Sequence, residues 1–89
     1  MKTINEDYRI ERVSEDKEDD YIITNGERVI IINNTAGEML LWIKKNGFNE
    51  EREVYDYFSK EYCMDESAID EIKESIEVFI NEGIIVNVQ

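Results

Sequence analysis

The stretch Arg28-Val-Ile-Ile-Ile-Asn-Asn-Thr-Ala-Gly-Glu-Met-Leu-Leu41 decides how this 89-residue chain folds. Val29, Ile30, Ile31 and Ile32 are β-branched in succession and read as a strand. Ile30 and Ile32 point to one face, Val29 and Ile31 to the other, so the strand is apolar on both sides. Thr35-x-x-Glu38 then reads as a capping box. In it the Thr35 hydroxyl accepts from the Glu38 backbone N–H and the Glu38 carboxylate reaches back to the Thr35 N–H. A strand therefore stops and a helix begins within a few residues. A chain of this length supports one domain with one small core, so what covers both faces of that strand bears directly on function.

Upstream, Tyr8-Arg-Ile-Glu-Arg-Val13 alternates apolar and charged residues and predicts a first strand. Ser14 to Asp20 holds five acidic residues in seven and predicts a solvated loop. A calcium loop is not expected there, because the ligand spacing and the glycine of an EF-hand are missing. Tyr21-Ile-Ile-Thr24 predicts a second strand. Asn25-Gly26 predicts a type I′ hairpin turn, which sets Thr24 opposite Glu27, Ile23 opposite Arg28 and Ile22 opposite Val29. The third strand then runs from Glu27 to about Asn33. Residues 1–7 are polar and are expected to be disordered.

Downstream, three helices are predicted. The first spans Ala36 to Lys45, with Ala36, Met39, Leu40 and Ile43 as its buried stripe and Gly47 as its stop. The second spans Glu50 to Glu61 after an Asn49 cap, with Val54, Tyr57 and Phe58 inward. The third spans Glu66 to Glu82 between an Asp65 cap and Gly83, with Ile69, Ile72, Ile76, Phe79 and Ile80 as one apolar stripe. The tail Ile84-Ile-Val-Asn-Val88 has strand character. The expected fold class is α+β: a three-stranded antiparallel sheet followed by three helices, winged-helix-like, in a single domain over residues 1–89.

Composition narrows the functions. The chain carries 22 acidic and 10 basic residues, a net charge of −12. That field repels nucleic acid and anionic membranes, and it attracts basic segments. DNA reading, the usual work of a winged helix, needs basic residues on the groove-entering helix, and the second and third helices are acidic. No apolar run approaches the ~20 residues of a membrane span, and a cytoplasmic address is expected. The chain has no histidine and one cysteine, Cys63. Cys63 thus lacks a histidine base and a disulfide partner, and a partly buried apolar role is expected for it. No phosphate loop or metal-ligand cluster appears. An enzyme is not expected, and no cofactor.

The third strand points instead to peptide binding. An edge strand apolar on both faces, with Arg28 its one internal charge, invites an extended peptide to add as a further strand. The third helix beside it would wall a groove.

These residues resemble a known family. The junction Ile32-Asn33-Asn34-Thr35-Ala36-Gly37-Glu38-Met39-Leu40 is similar to the L-N-x-[ST]-A-x-x-I-L strand-to-helix junction of the PqqD-like family. Gly47, Val54, Phe58-Ser-Lys-Glu-Tyr62, Asp65 and Phe79-Ile-Asn-Glu-Gly-Ile-Ile85 follow at fitting spacings, so the likeness covers about residues 8–85. Ile32 stands where the pattern usually has Leu, and the turn Lys45-Asn-Gly-Phe48 is longer than in many members. The resemblance implies a non-enzymatic recognition element that binds the leader segment of a ribosomal precursor peptide. The leader docks as an extra strand and is presented to a modifying enzyme, a radical S-adenosylmethionine enzyme or a lasso-peptide protease and cyclase. It implies backbone contacts from Arg28, Val29, Ile30, Ile31, Ile32 and Asn33, with Ile69, Ile72, Lys73, Ile76 and Ile80 as candidates for the helix wall. Two alternatives stand beside it. One is a winged-helix module for protein–protein contacts or transcription; the other is a homodimer pairing its own third strands.

Overall fold

The computed structural model describes residues 1–13 and 20–88. In chain order the elements are β1 (Lys2–Ile4), β2 (Arg9–Val13), β3 (Asp20–Thr24), β4 (Val29–Ile32), α1 (Asn34–Asn46), α2 (Glu51–Tyr62), α3 (Glu66–Asn81) and β5 (Ile85–Asn87). The fold is α+β, with two antiparallel sheets ordered β2-β3-β4 and β1-β5. The acidic segment expected as a loop lies outside the described residues, apart from Asp20, which opens β3.

The three-stranded sheet is the expected meander, in a corrected register. Thr24 lies opposite Val29, Ile23 opposite Ile30, Ile22 opposite Ile31 and Tyr21 opposite Ile32. The turn has moved by one residue, so Gly26 and Glu27 are its central pair. A type I′ turn needs positive φ at both central residues. Here Gly26 has φ 95°, while Glu27, which carries a Cβ, is not in that region. The Asn25 carboxamide stabilises the shifted turn by accepting from the backbone N–H groups of Glu27 at 3.0 Å and Arg28 at 2.8 Å. A one-residue move of the turn changes the register by two, so every side chain keeps its face. Tyr21, Ile23, Ile30 and Ile32 still face the helices.

The helices start from corrected caps. Asn33, not Thr35, caps α1: its Oδ1 accepts from the Ala36 N–H at 2.8 Å. Glu38, freed from a capping box, accepts from the Tyr21 hydroxyl at 2.6 Å and ties α1 to β3. Gly37 lets the helix lie directly on the Tyr21 ring. Glu50 rather than Asn49 caps α2, and the Glu53 carboxylate accepts from the N–H groups of Asn49 at 2.8 Å and Glu50 at 2.6 Å. Those bonds hold the Glu53 carboxyl below the usual carboxylate range. A depressed value means that the stabilisation is present above about pH 4.3, the ordinary glutamate value. It is lost as pH falls from there through the lower folded value. Thermal melts from pH 7 to pH 2 should accordingly show Glu53→Gln with a lower melting temperature at neutral pH, and its difference from the parent closing in acid. Asp65 caps α3 as expected, accepting from the Ala68 N–H at 2.9 Å.

The core gathers Ile23, Met39, Leu40, Ile43, Val54, Phe58, Ile72, Ile76, Phe79, Ile84 and Ile85. Tyr57, expected inward, lies at the rim and stacks on Trp42 with ring centroids 5.1 Å apart. Cys63 is exposed rather than partly buried: it ends α2 in the left-handed region at φ 49°. The N-terminal residues for which disorder was expected include β1. Lys2 to Ile4 pair with Ile85 to Asn87, and Lys2 also bridges to Phe48.

Candidate functional site

The tail's partner determines what β4 is free to do. Since β5 pairs with β1, the tail does not plug the third strand of the meander. Among the described residues β4 has one strand neighbour, β3, and its other edge is open.

The direction of the open hydrogen-bonding groups follows from the ladder. The Asn25 N–H donates to the Arg28 carbonyl at 3.4 Å, next to the turn. In an antiparallel pair, residues that exchange bonds with the neighbour alternate with residues that do not. Ile30 and Ile32 therefore bond to β3, while Val29, Ile31 and Asn33 direct their backbone groups to the open edge. The same parity sends the Val29 and Ile31 side chains to the outer face, where they are 67% and 71% exposed. Ile30 and Ile32 are half-buried against the core.

On the inner side α3 approaches the two ends of the Arg28–Asn33 segment. The Arg28 guanidinium donates to Glu82 Oε2 at 2.6 Å, joining the start of the strand to the end of the helix. That bond and the Glu82 charge strengthen the guanidinium's hold on its proton. At the other end Asn33 shares a cleft of about 380 Å³ with Glu71, Glu74, Ser75, Val78 and Phe79. Asn33, Glu71 and Ser75 also line an adjoining cleft of about 80 Å³ that runs on beside Ala36 and Met64. The lengths agree: five strand steps from Arg28 to Asn33 and eleven helical steps from Glu71 to Glu82 each span about 16 Å.

The chain matches no family model, no curated protein and no solved structure.

The five anticipated helix-wall residues fall in different places. Ile76 is 0% exposed and belongs to the core, whereas Ile72, 3% exposed, lines the smaller cleft beside Asn33. Lys73 is turned to α2, with its ammonium 4.8 Å from the centre of the Tyr55 ring. Ile69 and Ile80 are half-buried, and neither lines the clefts beside Asn33. The helix side of the larger cleft is Glu71, Glu74, Ser75, Val78 and Phe79; Glu71, Ser75 and Val78 continue to Glu82 as a stripe spaced four, three and four residues apart. At 3.6 residues per turn it lies about 100° around the helix from the buried stripe. Val78 was the available signal: it is an apolar residue on a face of carboxylates, and it is 54% exposed.

Among the described residues no cluster of three His, Cys, Asp or Glu side chains is placed to hold a metal ion. Nor is any helix long and apolar enough to cross a membrane. A wider hollow of about 680 Å³ lies at the termini beside Thr3, Tyr8, Lys44 and Val88, and it includes no residue of β4 or α3.

Proposed function

We propose that this chain binds an extended peptide by strand addition to β4, and that the peptide is the leader segment of a ribosomal precursor, presented to a modifying enzyme. The observation that carries the reading is the open edge of β4, with α3 tied to its start through Arg28 and Glu82 and the C-terminal tail paired elsewhere. An added strand would satisfy the outward backbone groups of Val29, Ile31 and Asn33 and set alternate side chains into the cleft beside α3. The PqqD-like likeness of the β4–α1 junction supports the same reading, as does the β2-β3-β4 meander followed by three helices. The partner enzyme is then a radical S-adenosylmethionine enzyme or a lasso-type protease and cyclase. The chain itself acts in the cytoplasm as a peptide chaperone, without catalysis or a cofactor.

The test is a titration of isotope-labelled protein with synthetic peptides covering small open reading frames encoded beside it. The expected result is amide shifts confined to residues 28–33 and the Glu71–Glu82 flank of α3. No shift on β4 with any such peptide, together with tight binding of duplex DNA, would overturn the reading in favour of a regulatory winged helix.

A further inference from the structure

Resting on the strand-addition reading, we infer that the edge selects a segment that alternates apolar and basic residues, with its cations toward the Asn33 end. The two faces of the added strand meet different surroundings. Its outward side chains lie beside Val29 and Ile31, whose own outward neighbours on β3 are Thr24 and Ile22. Cross-strand pairs of apolar side chains are the unit that stabilises such a face. A peptide with apolar residues at those positions extends the Ile22–Ile31 row and covers two exposed β-branched side chains; polar residues there leave both in water.

The inward side chains meet α3. The cleft has Phe79 and Val78 as its apolar part and Glu71 and Glu74 as its charged part. That combination suits lysine or arginine, whose aliphatic stem lies along apolar surface while the cationic head reaches out. Charge is distributed unevenly along the groove. At the Arg28 end Glu82 is already neutralised by its ion pair. At the Asn33 end Glu71 and Glu74 face no base of their own helix, because Lys73, the one base in α3, sits over Tyr55. The demand for positive charge therefore concentrates beside Asn33. A second copy of this chain fits poorly: its own β4 contributes no cation beyond Arg28, and it brings another net −12.

Three eight-residue peptides with blocked ends test this: valine alternating with lysine, with glutamate and with serine. Each is titrated into labelled protein, with dissociation constants read from the amides of Val29, Ile31 and Asn33. An exposed charge pair is worth a factor of about two to five, so the lysine peptide should bind at least tenfold tighter than the glutamate peptide. The double variant E71K/E74K should reverse that order. The double variant D70K/E77K makes the same charge change on other flanks of the same helix and should preserve it. Equal affinities for all three peptides at β4 would overturn the charge selectivity and leave strand addition standing. An equal response in both double variants would assign the preference to the overall field and overturn the groove. No shift on β4 with any peptide would remove strand addition as well. Concentration-dependent shifts of Val29 and Ile31 without peptide would show a second copy on the edge, and would overturn the proposal.

Discussion

Gly37→Ala should destabilise the protein by about 2–4 kcal/mol, although alanine is the better helix former by about 1 kcal/mol. A Cβ at this position would stand 2.0 Å from Tyr21 Cδ1 and 2.2 Å from Cγ, far inside contact distance. Those are the atoms nearest the ring's attachment to the backbone, so the ring cannot swing clear at its tip. Tyr21 is buried, sits in the middle strand of its sheet, and is tethered through its hydroxyl to Glu38 one residue along α1. Relief requires α1 to lift off the sheet or Tyr21 to abandon its rotamer, and either opens the core around Ile23 and Met39. A domain of this size has roughly 4–13 kcal/mol of total stability, so the loss is a large share of it. Urea denaturation of the parent and the variant measures it. A double variant with Tyr21→Val should recover part of the loss, because the two changes act on one contact. A Gly37→Ala variant more stable than the parent would mean that helix propensity wins and that the ring does not lie against the helix.

What could be read in the sequence, and what could not, divides along physical lines. The β4–α1 junction was legible because two local signals coincide there: a β-branched run, and a short polar break before a 3.6-residue period. The cap within that break was not, since Asn33, Asn34 and Thr35 are all competent caps and the choice belongs to tertiary contacts such as Tyr21 with Glu38. The hairpin was legible at Asn25-Gly26, but its register was set by which peptide N–H groups the Asn25 side chain satisfies. The pairing of β1 with β5 joins three-residue strands from opposite ends of the chain, and no periodicity of that length announces a partner more than 80 residues away. The open edge followed from the meander alone. The clefts beside Asn33 did not: Ile72 and Ile76 marked α3 as amphipathic, yet an apolar stripe identifies the face turned to the core, and the larger cleft is lined mainly by the flank next to it.

Ile31→Pro should fold and should weaken peptide binding by about ten- to a hundredfold, whereas Ile30→Pro should fail to fold. The contrast comes from the alternation of the ladder. The Ile31 N–H points to the open edge and its side chain is largely exposed, so a proline there removes neither a bond to β3 nor a core contact. Edge strands tolerate proline for this reason. The residue before a proline is pushed toward extended backbone, and Ile30 already lies in β4. For an added strand the same change deletes a central donor and sets a ring against the incoming backbone. One backbone hydrogen bond is worth about 0.5–1.5 kcal/mol net, and the steric conflict adds to it. At residue 30 the geometry is reversed: the N–H bonds to β3, and the side chain packs on the core opposite Ile23. Circular dichroism and a thermal melt establish folding, and calorimetry with the peptide that titrates β4 measures affinity. An Ile31→Pro protein that folds and binds with undiminished affinity would show that the peptide takes no backbone bond from β4, and strand addition would have to be abandoned.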